Sequence, residues 1–132
     1  MNYMYGAAFA MFDNAVAGSN TLISGLGTDY MWGDAQFING VLASPTTPTS
    51  NVTTGADTFV FGPNNGNDFV GDFRQSDGDK IDVSAYGFTS MAAMTFTAVG
   101  GDTKIGFDAN NTVTLVGISD PNTLHASDFI FA

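Results

Sequence analysis

A short motif, Gly-x-Asp/Asn-x-apolar, occurs four times in the chain and restricts its folding more than any other feature. Two copies, Gly18–Leu22 and Gly27–Met31, start nine residues apart. Two further copies, Gly55–Phe59 and Gly66–Val70, start eleven residues apart. Glycine adopts the positive φ angles of tight turns, and residues two apart in a strand share one face. Each copy therefore predicts a turn followed by a short strand that places its apolar residue in a core.

Repetition of this turn-and-strand unit predicts the fold class. A nine-residue unit, with a six-residue turn and a three-residue strand, winds into a parallel β-solenoid. Consecutive turns of such a roll alternate between its two sides, so stacked turns are two units apart. We expect the turn of Gly18 to stack on that of Gly55, and the turn of Gly27 on that of Gly66. The sequence thus predicts an all-β protein built as a parallel β-roll.

The roll is expected to cover residues 18–132, with a Pro/Thr/Ser-rich loop inserted at about residues 36–54. Short alternating segments follow at roughly ten-residue spacing, separated by Gly- and Asn-containing turns. They are residues 95–99, 104–107 and 112–116. This pattern predicts an antiparallel meander that closes the roll, within a C-terminal cap.

The N-terminal segment, residues 1–17, is apolar and has a helical spacing. Apolar side chains recur at i, i+4, i+7 and i+11, namely Tyr5, Phe9, Phe12 and Val16. This spacing predicts a short helix over residues 3–14. Either the helix packs on the end of the sheet, or the segment forms an oligomerisation surface.

The charged residues favour a hard cation as a ligand. All thirteen acidic residues are Asp, only three residues are Lys or Arg, and the net charge is −10. Such a balance argues against nucleic acids and anionic membrane surfaces as partners. Asp is typical of turns and of oxygen cages for Ca²⁺. The chain has no Cys, which excludes thiolate metal sites, and no apolar run long enough to span a membrane.

The candidate metal ligands are the turn residues of the four motifs and the aspartates that follow them. They are Gly18, Asn20, Gly25, Gly27, Asp29, Asp34, Gly55, Asp57, Gly66, Asp68, Asp72 and Asp79. Asp82 is open between a ligand and a capping residue. We expect Asp102 and Asp108 to be hairpin residues and His125, the only histidine, to be solvated.

The motifs resemble the nonapeptide repeats, G-G-x-G-x-D-x-U-x, of RTX or hemolysin-type calcium-binding proteins. Gly55–Ala85 and Gly100–Ile118 resemble the C-terminal domains of serralysin-type proteases and alginate-epimerase modules, as does the ending "LHASDFIFA". The resemblance implies a β-roll that binds Ca²⁺ and carries a C-terminal signal for type I export to the cell exterior. Ser24 and Thr54 replace glycines and Asn20 replaces an aspartate of the repeat, so we expect only about two to four ions.

These observations predict a secreted calcium-binding structural protein that folds on binding Ca²⁺ and self-assembles into a filament, layer or matrix. Its partners would be copies of itself, joined through the N-terminal segment. The alternative is a calcium-dependent adhesin or carbohydrate-binding module that presents Tyr30 and Trp32, both expected to face outward. A third possibility is the export domain of a larger enzyme. With one His, no Cys, no Glu and no HExxH motif, catalysis is not expected.

Overall fold

The computed structural model describes residues 1–132. Its strands are β1 (Asn2–Tyr5), β2 (Ala8–Met11), β3 (Thr21–Ile23), β4 (Asp29–Trp32), β5 (Ala35–Ile38), β6 (Val41–Leu42), β7 (Thr58–Val60), β8 (Asn67–Val70), β9 (Lys80–Asp82), β10 (Thr95–Val99), β11 (Asp102–Gly106), β12 (Thr112–Leu115) and β13 (Phe129–Ile130). The helices are single 3₁₀ turns at Gln75–Asp77, Ser84–Tyr86, Met91–Ala93, Pro121–Thr123 and Ala126–Asp128. None of them has the length and apolar character that crossing a bilayer requires.

The thirteen strands form three sheets. The six-stranded sheet has the order β1-β4-β8-β12-β11-β10; its pairs are parallel from β1 to β12 and antiparallel from β12 to β10. The four-stranded sheet, β13-β9-β7-β3, is parallel. The three-stranded sheet, β2-β5-β6, has one parallel and one antiparallel pair. The antiparallel meander predicted for the second half is therefore present as β10 to β12.

The predicted parallel β-roll is wrong, because the strands are divided among three sheets and do not close into a solenoid. One cause lies at Asn39 and Gly40, which both have positive φ angles, 50° and 79°. Such a pair favours a tight hairpin turn. The chain reverses there, and β6 pairs antiparallel with β5. The Asn-Gly dipeptide is a strong hairpin signal in the sequence, and it lies inside the segment that was expected to be a loop.

The predicted N-terminal helix is also wrong, since β1 and β2 occupy its place. β1 pairs in parallel with β4, and β2 with β5. Between them, Gly6 passes so close to the Gly33 carbonyl that a Cβ atom would lie 1.7 Å from its oxygen. Aromatic residues favour strands when they pack on neighbouring strands. That tertiary packing outweighs the helical spacing of the apolar residues.

Two cores hold the sheets together. The larger contains sixteen buried apolar residues; Met31 and Val70 of the six-stranded sheet and Phe59 and Ile81 of the four-stranded sheet belong to it and are fully buried. The smaller contains seven buried residues around the three-stranded sheet, with Trp32 among them. β4 contributes to both cores, because alternate side chains of a strand point to opposite faces.

Candidate functional site

The predicted aspartate ligands are all buried, and the structure divides them into two groups at opposite ends of β4 and β8. We name these the Asp68 group (Asp29 and Asp68) and the Asp34 group (Asp34, Asp57, Asp72 and Asp79). Each of the six side chains is at most 1% exposed. Burying a carboxylate is costly unless hydrogen bonds or opposite charges compensate for lost hydration. The partners of the individual oxygen atoms therefore distinguish the two groups.

In the Asp68 group, both oxygens of Asp68 are satisfied by neutral donors. Oδ1 accepts a bond from the backbone N–H of Asp29 at 2.9 Å. Oδ2 accepts bonds from the Ser24 hydroxyl at 2.7 Å and from Asn65 Nδ2 at 2.8 Å. Burial raises the pKa of Asp68, and these three hydrogen bonds oppose that rise. The Tyr86 hydroxyl bonds to Asn65 Oδ1 and so holds the Asn65 amide in this orientation.

Asp29 is satisfied in the same way. Its Oδ2 accepts a bond from the Gly25 N–H at 2.8 Å, and its Oδ1 accepts one from Asn2 Nδ2 at 2.6 Å. The two carboxylates of this group are therefore fully hydrogen-bonded by the protein. A cation bound between them would have to replace donors that are already in place.

In the Asp34 group, two aspartates connect adjacent parts of the chain through backbone hydrogen bonds. Each of these carboxylates accepts two N–H groups at 2.7–3.1 Å: Asp72 from Gly33 and Asp34, and Asp79 from Asp57 and Arg74. Desolvation by burial is the largest influence on their pKa values. It raises the pKa of Asp72 to about 6 and that of Asp79 to about 8.

Asp34 and Asp57 are less well compensated, because one oxygen of each has no partner. Asp34 Oδ1 accepts the Gly55 N–H and Asp57 Oδ1 the Asn20 N–H, both at 2.8 Å. Asp34 Oδ2 and Asp57 Oδ2 are buried without any hydrogen bond. Burial raises the pKa of Asp34 to about 7, with the neighbouring carboxylates adding to the rise, and it also raises the pKa of Asp57.

The basic side chain beside this group leaves the two free oxygens unpaired. Arg74 is buried, and its charge lowers the pKa of Asp72. Its guanidinium donates from Nη2 to the Thr47 carbonyl oxygen at 2.9 Å, while its Nε has no partner. The Asp34 group is thus a set of buried carboxylates whose charge is only partly balanced within the chain.

Whether these residues suit a metal ion depends on which group is considered. No three acidic or histidine side chains converge in an arrangement that could hold a metal by themselves. In the Asp34 group, however, two buried oxygens lack partners, and Asp57 Oδ2 occupies space that a Cβ at Gly33 would fill, at 2.2 Å. Ca²⁺ is commonly completed by backbone carbonyls and water. The Asp34 group therefore keeps two buried carboxylate oxygens free to meet a hard cation, whereas the Asp68 group keeps none.

The predicted glycine and asparagine ligands lie where successive turns stack. A Cβ at Gly55 would lie 2.1 Å from the Gly18 carbonyl oxygen, and one at Gly66 would lie 2.0 Å from that of Gly27. These are the two pairs of turns predicted to stack, and both are present. Asn20 Nδ2 donates to the Gly18 carbonyl oxygen at 3.0 Å. Gly55 and Gly66 are thus required by close backbone approach, and Gly27 by its positive φ of 97°, whether or not a metal is bound.

The remaining polar candidates lie outside both groups. Asp82 Oδ1 accepts the backbone N–H and the hydroxyl of Ser84, two residues further on, which is an Asx turn. Asp108 is exposed in the β11–β12 hairpin, and bonds from Asn110 and Asn111 lower its pKa. His125 is exposed, and its backbone N–H donates to Asp128 Oδ2 at 2.8 Å.

The two aromatic side chains expected to face outward behave differently. Trp32 is only 7% exposed and packs in the smaller core, so the expectation of an exposed Trp32 is wrong. Tyr30 is half-buried, with Tyr3 stacked on one face at a centroid distance of 5.6 Å and Phe69 on the other at 4.5 Å. These rings border a cavity of about 370 Å³. Both faces of Tyr30 are already covered by protein.

Sequence reasoning missed three residues that complete these sites: Asn65, Ser24 and Arg74. Asn65 is 2% exposed and connects Asp68 to Tyr86. An Asn immediately before a turn Gly is common in any loop, so its sequence position does not distinguish it. The Ser24 position was noted only as a departure from glycine, although a hydroxyl there supplies a hydrogen bond to Asp68.

The fold and site together define a class: a mostly β protein whose turns carry buried, incompletely compensated carboxylates. No protein-family model matches the chain, and no curated protein is detectably similar to it. The resemblance to RTX proteins therefore depends on the sequence motifs alone.

Proposed function

We propose that the chain is a secreted calcium-binding structural protein, in which Ca²⁺ stabilises the fold by binding in the Asp34 group. The observation that carries this proposal is the pair of buried oxygens without partners, Asp34 Oδ2 and Asp57 Oδ2. Asp72 and Asp79 lie in the same group. The negative charge of Asp72 raises the pKa of Asp34 and of Asp79, and that of Asp57 raises the pKa of Asp72. A divalent cation would supply the positive charge that this group lacks.

Calcium suits these ligands better than other common ions. The donors are carboxylate oxygens and turn carbonyls, with no thiolate available and the only His exposed. Ca²⁺ accepts six to eight such oxygens in irregular geometry, whereas Mg²⁺ requires a near-ideal octahedron. Extracellular calcium modules have dissociation constants of about 10⁻⁴–10⁻³ M. Such a site would be empty at cytosolic Ca²⁺ and filled outside the cell, in agreement with the export signal that the C-terminal resemblance implies.

The ion would compete with protons for the same carboxylates. The raised pKa values of Asp34 and Asp79, about 7 and about 8, mean that the metal-free group holds protons at neutral pH. Ca²⁺ requires the ionised form, so binding must release protons. The coupling of metal binding to folding then makes the stability of the protein depend on Ca²⁺.

Thermal unfolding and titration calorimetry test this proposal. At a Ca²⁺ concentration about 100-fold above Kd, the gain is about 2.7 kcal/mol, and we expect a rise in melting temperature of about 10 °C relative to EDTA. Calorimetry in two buffers of different ionisation enthalpy should show proton release. An Asp108→Asn variant, altered in an exposed hairpin, should keep both responses. Equal melting temperatures in EDTA and at this Ca²⁺ concentration, about 10–100 mM for such dissociation constants, would overturn the proposal.

The alternative, a calcium-dependent adhesin or carbohydrate-binding module, needs an aromatic face open to a sugar ring. Tyr30 lacks one, since Tyr3 and Phe69 cover its two faces. Trp32 is buried against the smaller core. The observations therefore favour the structural role.

A further inference from the structure

The first 23 residues supply an edge strand to every sheet. β1 is the last strand of the six-stranded sheet, β2 of the three-stranded sheet, and β3 of the four-stranded sheet. We name the layer that these first 23 residues form the open end. At the opposite edge of the six-stranded sheet, β12 is followed by the antiparallel strands β11 and β10. The two edges of this sheet are therefore built differently, and only β1 is an edge strand of the parallel part.

The open end also carries a concentration of exposed apolar side chains. Six of the eleven large apolar residues that are exposed in the protein belong to it: Met1, Tyr3, Phe9, Phe12, Val16 and Ile23, each exposed over more than half of its surface. Large side chains offer about 150–250 Å² when free, so together they approach the roughly 800 Å² per partner of a stable interface. Exposed apolar patches of this extent indicate an interaction surface.

Charge favours a second copy of the chain as the occupant. Asp13 is the only charged side chain in residues 1–23, although the chain as a whole carries −10. Seven of the thirteen aspartates are buried, and all the accessible ones except Asp13 lie outside the open end. Contact through the open ends therefore avoids most of the repulsion between two acidic copies. Apart from Asp13, the same patch offers no charge with which to bind an oppositely charged protein.

The backbone of β1 defines how two copies would meet. The N–H of Asn2 donates to the Thr28 carbonyl oxygen at 3.0 Å, and that of Gly6 to the Trp32 carbonyl oxygen at 2.8 Å. Residues of a parallel pair alternate in the side to which their N–H and C=O groups point. Tyr3 and Tyr5 therefore direct these groups away from β4, to the free edge.

We propose that two copies pair antiparallel through β1, about a two-fold axis at Tyr3. In an antiparallel pair, two directly opposed residues can exchange both backbone hydrogen bonds. Tyr3 would exchange both backbone hydrogen bonds with Tyr3 of the second copy. The ring stack of Phe69, Tyr30 and Tyr3 would then contact the same stack of the second copy. An isologous contact uses the same surface on both copies and closes at two. This narrows the expected self-assembly to a dimer and disfavours a filament grown through the open end.

Light scattering and sedimentation of the whole chain test the dimer, in Ca²⁺ and in EDTA. We expect twice the 13.8 kDa mass of one chain at micromolar concentration. Tyr3→Pro removes an N–H that makes no bond to β4, so it should yield a folded monomer. A monomeric native chain, or species larger than a dimer, would overturn the inference. Trp32 fluorescence and the melting temperature report folding and the Ca²⁺ response separately, so failure of the calcium proposal leaves this test intact.

Cross-linking tests the position of the axis, because the chain has no cysteine of its own. In a hydrogen-bonded antiparallel pair the two Cα atoms lie about 5.5 Å apart, within the range that a disulfide spans. Tyr3→Cys should therefore form covalent dimers on oxidation. The matched control is Val99→Cys, which is exposed on β10 at the other edge of the same sheet and should remain monomeric. A mixed cross-link between the two variants would show head-to-tail association and refute the two-fold arrangement.

Discussion

The two ends of β4 and β8 carry aspartates of similar sequence surroundings, yet their chemistry differs. Every oxygen of Asp29 and Asp68 has a hydrogen-bond donor. Asp34 and Asp57, equally buried, each keep one oxygen without a partner. Burial of an aspartate beside a glycine-containing turn is thus not enough to identify a cation site. What distinguishes the two ends is whether neutral donors such as Ser24 and Asn65 are present to replace water.

The largest effect expected from this difference is a pH dependence of the free energy of unfolding of the metal-free protein. Desolvation raises the pKa of Asp34 to about 7, of Asp72 to about 6 and of Asp79 to about 8, from the ordinary aspartate value of 3.8. Below about pH 4 both states are protonated and these groups cost nothing. As pH rises further, the unfolded chain loses protons that the folded chain retains, so stability falls until about pH 8. Above about pH 8 the three aspartates are ionised in the folded state as well, so the free energy of unfolding falls no further.

Each pKa unit corresponds to about 1.4 kcal/mol, so the rise of the Asp34 pKa alone, to about 7, corresponds to about 4 kcal/mol, a large part of the stability of a small domain. Urea unfolding in EDTA from pH 4.5 to pH 8.5 measures it. Ca²⁺ at about 100-fold above Kd should offset about 2.7 kcal/mol of the fall, because the ion binds the ionised carboxylates. Stability that rises with pH in EDTA would show that the Asp34 group is compensated by other means.

A smaller effect is expected for Asp68→Asn. The new amide keeps an acceptor for the Asp29 N–H but directs its own N–H groups toward Asn65 Nδ2, which is a donor fixed by Tyr86. A buried donor without an acceptor costs about 1–3 kcal/mol. We expect this loss both in Ca²⁺ and in EDTA, measured as the free energy of unfolding. A loss confined to Ca²⁺-containing buffer would instead identify Asp68 as a ligand.

The sequence predicted the pairs of stacked turns and the meander because each depends on local signals. Gly18 stacks on Gly55, and Gly27 on Gly66, as the spacing of the motifs required. The N-terminal strands were not predictable in this way. Tyr5 and Phe9 have helical spacing, and only their contacts with Trp32 and Phe37 on distant strands decide the outcome.

The candidate site was predictable as a set of residues but not as two groups. The sequence identified six of the seven buried aspartates as candidate ligands, all except Asp128, and it included Asp29 and Asp68 among them. Their donors come from positions up to 44 residues away, as in the bond from Ser24 to Asp68, and no local pattern reports such a distant partner. Which oxygens remain free depends on the complete three-dimensional packing.

The smallest change in stability is expected for Asp34→Asn. This variant distinguishes an aspartate that is only protonated from one that binds a cation. The amide oxygen can still accept the Gly55 N–H, and the amide nitrogen replaces the oxygen that has no partner. In EDTA at pH 8 the substitution removes a buried charge, which outweighs the cost of about 1–3 kcal/mol for an amide nitrogen without an acceptor. We therefore expect a net gain of about 1 kcal/mol, opposite in sign to Asp68→Asn. In saturating Ca²⁺ the same variant should lose most of the calcium-dependent rise in melting temperature. If the variant still gains stability from Ca²⁺ as the native chain does, Asp34 is no ligand, and its burial serves only to position the turn of Gly55.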